Sequence, residues 1–278
     1  MRIYDVVTEF VEHYEPTITY LNDYFETNQQ HFDEYFTYHC LNKSEKLQIA
    51  IEKHPAKLAD IMDMSQKMPA FIQQITKDYE TIYAVKFTQD VHLIVGLYGS
   101  NAYTYRQFNP EVAFCLEKLS PNPVHLQTII AHEFGHVTHN LLSMKEGIDW
   151  SNVDWSSPYT WLLQEGVATY LSAKVVAARK DVYFAFEDDE HWLKFCEDHK
   201  HRIFTTFVQA LQTNTPQHLF KEWFSINGGE TFGFARLGYY IAYCMVKDLV
   251  EKYGELYTIT LWKEKEFKDI VFHELGIQ

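Results

Sequence analysis

Nowhere in the 278 residues do apolar positions run together for the roughly 18 needed to cross a bilayer as a helix. The opening stretch, Met1 to Glu9, acquires acidic side chains before any apolar run of the signal-peptide kind can develop. A soluble cytoplasmic protein with no membrane partner is therefore expected. The chain also has no C-x-x-C pair: Cys40, Cys115, Cys196 and Cys244 are scattered, which argues against a cysteine zinc site or a dithiol redox centre. They read as reduced, packed thiols. Positive charge is short too, with 24 Lys plus Arg against 38 Asp plus Glu and a net charge of −14, so a nucleic-acid backbone would be repelled on average. Nucleic acid is not an expected partner, and the acidic excess, spread through the chain, reads as solubility.

What the chain does have is apolar and aromatic mass. Hydrophobic residues make up 46% of it, with 20 Phe, 19 Tyr and 6 Trp, enough for one large domain or two lobes with a substantial core. Residues 1–80 read as a helical N-terminal region. Tyr20, Leu21, Tyr24 and Phe25, then Phe32, Tyr35 and Phe36, recur at helical spacing and predict two amphipathic helices. Helices over 44–53 and 56–67 follow, parted near His54-Pro55, and Pro69 opens another that runs to about Tyr79. His13, His31, His39 and His54 have no helical metal-binding partner and read as surface or packed residues.

The texture changes near residue 81, where the 81–278 domain begins. Tyr83–Phe87, Val91–Tyr98 and Val112–Leu116 are short, rich in β-branched and aromatic residues and separated by turn residues, so they predict a small sheet interrupted at Gly99-Ser100-Asn101-Ala102. The fold class is α+β, mainly helical. Ser120-Pro121-Asn122-Pro123 then starts a helix reaching about Ser143.

That helix carries Ile129-Ile130-Ala131-His132-Glu133-Phe134-Gly135-His136, an H-E-x-x-H motif. Residues four apart on a helix project from nearly the same side, so His132 and His136 can offer two imidazoles to one Zn2+ ion. Glu133 lies about 100° further round, placed to act on a water as general base. A second helix, from about Tyr159, reads Trp161-Leu162-Leu163-Gln164-Glu165-Gly166-Val167-Ala168-Thr169-Tyr170. Its one carboxylate, on an otherwise largely apolar face, is costly to bury unless paired or bound to metal, which makes Glu165 the third candidate ligand. Gly166 and Ala168 permit close helix packing.

H-E-F-G-H followed on a second helix by W-L-L-Q-E-G-V-A-T-Y resembles the gluzincin metallopeptidases. The second segment is similar to the W-L-N-E-G-F-A-x-Y pattern of the M1 aminopeptidase core, and the chain as a whole resembles small bacterial predicted zinc-dependent proteases. The resemblance covers about residues 125–172 closely. It implies a zincin-like catalytic domain with a small mixed or antiparallel sheet, His132, His136 and Glu165 as zinc ligands, and Glu133 as catalytic base. The G-x-M-E-N strand motif by which M1 aminopeptidases hold a free amine has Gly99-Ser100-Asn101-Ala102 as its nearest counterpart, without the Glu. The metzincin extension fails as well, since His139 stands at the Gly position and Leu142 at the third His.

Beyond the motif helices, the run Glu187-Asp188-Asp189-Glu190 lacks the alternating ligands and glycine of a calcium loop and reads as solvated surface. Phe232 begins a helix expected to reach about Lys252. An oxyanion needs a donor, and Arg236, Tyr239 and Tyr240 are the candidates, the resemblance pointing to a Tyr. The expectation is a zinc metallopeptidase acting on a peptide or protein substrate. A zinc hydrolase of a non-peptide substrate and a non-catalytic, zinc-stabilised binding module are the alternatives. Oligomeric state is not legible in the sequence.

Overall fold

A computed structural model describes residues 1–277, mainly helical with one small mixed sheet, an α+β arrangement. The chain divides into two units, one ending at Glu133 and the other beginning at Phe134.

The first unit starts as a strand. Ile3–Asp5 (β1) pairs in parallel with Val91–Ile94 (β2), and β2 pairs in parallel with Val112–Cys115 (β4). Ala102–Thr104 (β3) lies antiparallel along the other side of β4, which gives the order β1-β2-β4-β3. Every residue of β2 and β4 is buried, which is why VHLI and VAFC show no polar alternation. Three residues are too few to reveal a period, so β1 is invisible in the sequence; its pairing with β2 ties the N-terminal residues to the sheet within one unit.

The helices of this unit are Val7–Glu12 (α1), Ile18–Thr27 (α2), Lys43–Lys53 (α3) and Leu58–Tyr83 (α4). Asp5 accepts from the Val7 N–H at the start of α1, and the Thr17 hydroxyl accepts from the Tyr20 N–H at the start of α2. Three expectations need correcting. The helix expected around Phe32–Phe36 is a 3₁₀ turn, Gln29–His31, followed by a wider π turn, Tyr35–His39. The break expected before Pro69 does not occur: α4 continues through the proline because Ile61, Met64, Met68, Ile72, Ile75 and Tyr79 stay buried in register on both sides of it. That burial outweighs the one lost hydrogen bond. The strand expected at Tyr83–Phe87 is absent, because α4 takes in Tyr83 and ends on Ala84 in the left-handed conformation, φ 50°.

The strand expected to run to Tyr98 stops at Ile94, and the reason lies in buried side chains. The Tyr35 hydroxyl accepts from the N–H groups of Leu97 (2.8 Å) and Gly99 (3.0 Å), and the Glu117 carboxylate accepts from those of Gly96 (2.8 Å) and Tyr98 (3.1 Å). Donors that would extend the ladder are used up, so the chain peels away. Burial pushes the Glu117 carboxyl up to about 7, against those same backbone donors, which favour the anion.

The helix Pro123–Lys145 (α5) carries the chain into the second unit. There follow Pro158–Val175 (α6), Val182–Ala185 (α7), Glu190–Asp198 (α8), Lys200–Thr213 (α9), Pro216–Leu219 (α10), Leu237–Tyr253 (α11), Glu255–Ile259 (α12) and Phe267–Ile277 (α13). Helices α6 and α11 form the centre of this unit, burying Leu162, Leu163, Val167 and Leu171 with Ile241, Met245, Val246 and Leu249. They approach closely because Gly166 has no side chain: a Cβ there would overlap the Ala242 carbonyl. The helix expected from Phe232 starts only at Leu237, since Gly229, Gly233 and Arg236 all take positive φ (84°, 74° and 61°) and hold 229–236 as turns. The four cysteines are free thiols, and among the described residues no helix is long and apolar enough to cross a membrane.

Candidate metal centre

Helix α5 is buried almost all round. From Thr128 to Asn140 every residue is buried except His136. Such a helix needs apolar residues on all faces, which the run Leu126, Ile129, Ile130, Ala131, Phe134 and Val137 supplies. At its start the Asn122 side chain accepts from the Val124 N–H (2.9 Å), the turn chemistry expected of Ser120–Pro123. Near the motif, the Tyr79 hydroxyl of α4 donates to the Ala131 carbonyl at 2.8 Å. Helix position and rotation are thereby pinned one residue before His132.

The two motif histidines lie one turn apart on this helix, His132 only 3% exposed. In the second unit, α6 brings Glu165 to His136, with Nε2 and Oε2 at 3.6 Å. The ligand atoms of His132, His136 and Glu165 all lie within 4.8 Å of one another. Two ligands about 2.0–2.1 Å from one tetrahedral zinc stand about 3.4 Å apart, whereas a direct hydrogen bond would be about 2.9 Å. The 3.6 Å separation is nearer the first value, and two imidazoles with one carboxylate are a donor set that zinc takes. The residues fit the ion.

Gly135 makes the approach of α6 feasible. A Cβ at this position would stand 2.9 Å from the Ala168 carbonyl oxygen and 3.0 Å from its Cα, closer than backbone atoms tolerate. Any side chain at 135 would push α6, and Glu165 with it, away from His136. The sequence reading missed this role, although a signal was there: a glycine between the two histidines and an alanine three residues after Glu165.

The remaining candidates separate clearly. His139 is 1% exposed, lies flat against the Trp262 indole at 4.0 Å, and burial pushes it down to about 3. It packs as a neutral ring and is not in the converging group. Tyr240 is 3% exposed and packs against Phe184 and Trp192, so it belongs to the core. Tyr239, half-buried on the first turn of α11, rests 6.2 Å from the Phe224 ring. Arg236 donates to the Phe184 carbonyl at 3.2 Å, beside Tyr240. The acidic run is engaged in surface pairing, with Arg179 holding Asp188 and Glu190 while Asp189 caps α8. Among the described residues no other set of three His, Cys, Asp or Glu side chains converges as His132, His136 and Glu165 do.

No family model, curated protein or solved structure matches the chain. The three side chains are therefore candidate ligands on their chemistry and convergence alone.

Proposed function

We propose that the chain is a zinc-dependent metallopeptidase of the gluzincin type, with His132, His136 and Glu165 as ligands and Glu133 as general base. The observation that carries this reading is the convergence of two imidazoles and one carboxylate from two helices, with no fourth member of the group among the described residues and a second carboxylate, Glu133, adjacent in sequence to His132. A structural zinc site is usually closed by four protein ligands, while a catalytic one keeps a position for water or substrate.

Bound zinc would polarise the scissile carbonyl and acidify the attacking water. Glu133, 7% exposed, is the carboxylate to which this reading gives the role of general base. It takes the proton from the water as that water adds to the carbonyl carbon, then delivers it to the leaving nitrogen as the C–N bond breaks. Tyr239 is the remaining candidate to donate a hydrogen bond to the developing oxyanion, since Tyr240 is committed to the core. A cytoplasmic location and a peptide rather than nucleic-acid partner belong to the same reading, on composition and charge.

The test is metal analysis of purified wild type and Glu133→Gln, together with cleavage of a mixed peptide library with and without chelator. One zinc per chain in both proteins, and chelator-sensitive cleavage by the wild type alone, is the expected result. Zinc without cleavage would move the assignment to a non-peptide substrate or a binding role, and a chain without zinc affinity would end it.

A further inference from the structure

Helix α6 has one face that is neither fully buried nor charged along its length. Within Trp161–Tyr170, the residues that keep partial exposure are Trp161, Gln164, Glu165 and Tyr170, the rest being buried. Trp161 stands four residues before Glu165, so the two side chains are neighbours on one side of the helix, with Cβ atoms about 5–6 Å apart. A large indole thus lies directly beside a candidate zinc ligand.

Other aromatic residues adjoin that indole. Its N–H donates to the Trp155 carbonyl at 2.8 Å, which fixes the ring and holds the 147–157 connection next to it. Phe220 meets Trp161 edge-on at 5.2 Å between ring centres, and Phe224 does so at 6.0 Å. Phe224 in turn contacts Tyr239, the candidate oxyanion donor. The segment Phe220–Phe224 is a π turn, a form that places successive aromatics differently from an α-helix and recurs at functional sites. Yet Trp155 is 42% exposed and Phe220 50% exposed. Both rings keep a large exposed area although Trp155 also packs on Trp150 and Trp262, and both segments adjoin Trp161, one helical turn from Glu165.

We infer that Trp155, Trp161 and Phe220, backed by Phe224, form the subsite that selects substrate, accepting a large apolar or aromatic side chain next to the scissile bond. The inference rests on the peptidase reading and deepens it by naming the substrate class. The subsite binds by excluding water from an apolar side chain and by edge-to-face ring contact, while a charged residue would lose solvation there without a partner. Peptides carrying Phe, Tyr, Leu or Met at one defined position are the preferred class.

The test uses the zinc-loaded full chain as wild type, Phe220→Ala and Trp155→Ala, with zinc content as the check on folding. Matched peptides differing only in Phe or Ala at each position around the cut site give a ratio of kcat/KM, which cancels any general loss. Wild type should favour Phe by tenfold or more at one position, and each variant should lose most of that preference. An equal ratio in wild type, or one untouched by both substitutions, would overturn the subsite even though cleavage had upheld the peptidase. If no peptide is cut, the binding of acetohydroxamate and of phenylalanine hydroxamate still decides the subsite. Tighter binding of the benzyl compound to wild type, lost in Phe220→Ala, supports it, and equal binding overturns it.

Discussion

Two sets of two histidines and a glutamate occur among the described residues, and they are built in opposite ways. In the first unit, His31 and His92 meet Nδ1 to Nδ1 at 2.8 Å, and His92 Nε2 lies 2.6 Å from the Glu111 carboxylate. That set is a line: both nitrogens of His92 are occupied, and Gln30 stands 3.2 Å from His31 Nε2. Tyr4 stacks on His92 with ring centres 5.6 Å apart and also touches His31. His132, His136 and Glu165 instead gather their ligand atoms within 4.8 Å of one another, with His136 Nε2 and Glu165 Oε2 3.6 Å apart. Residue type is the same in both. In the first set hydrogen bonds run from member to member, whereas the second gathers three donor atoms at a spacing compatible with ligation of one zinc ion.

The largest expected effect lies in breaking the second set. Glu165→Ala should cost zinc affinity by more than the roughly 10–100-fold typical of losing an outer-sphere partner, measured by competition with a chromogenic chelator. His92→Ala, in the line, should leave zinc stoichiometry unchanged. Equal losses in the two variants would erase the distinction.

Glu133→Gln sharpens it from another side, because a base is not a ligand. Turnover should fall by about 10²–10⁴-fold with zinc retained. Loss of the metal in this variant would mean that the roles of Glu133 and Glu165 had been misassigned.

The buried titratable groups of the first unit should declare themselves through acid sensitivity of the chelated protein. His31 is depressed by burial and by His92, and His54 is depressed to about 4 by burial. Folded values below the unfolded one near 6.5 mean that their contribution is complete above pH 6.5 and fades as pH falls towards 4. Glu117, raised to about 7, works the other way: its contribution is complete below about pH 4.5 and is lost as pH rises through 7, on the order of 3 kcal/mol in all. Glu117→Gln should therefore steepen the loss of stability on acidification between about pH 6.5 and 4.5. Urea midpoints across that range would show it, and an unchanged slope would count against the buried Glu117 and His54.

The smallest effect is a single methyl group. Gly135→Ala should destabilise the fold by about 1–3 kcal/mol, through overpacking against Ala168, and weaken zinc in the same variant by displacing Glu165. A thermal melt with and without zinc separates the two consequences. Unaltered zinc affinity would show that α6 yields without moving its carboxylate.

How much of this was legible in the sequence depends on reach along the chain. Helices α3 and α5 appear at nearly their expected bounds and α6 at nearly its expected start, and the spacing that sets His132 and His136 one turn apart is a local property of four residues. Glu165 could be nominated from its own segment, because a lone carboxylate on an apolar helical face already demands a partner. Other features had no local signature. Strand β1 exists through pairing with β2, β2 ends where Tyr35 and Glu117 capture its backbone donors, and α4 survives Pro69 through buried contacts on both sides. Tyr239 and Tyr240 are adjacent and chemically identical, and only the packing of α11 sends one to the core. The sequence alone determined the chemical types and the four-residue periods. Tertiary structure decided which side chains met, because convergence of His136 with Glu165 requires two helices to touch at Gly135 and Ala168, a contact that no local pattern encodes.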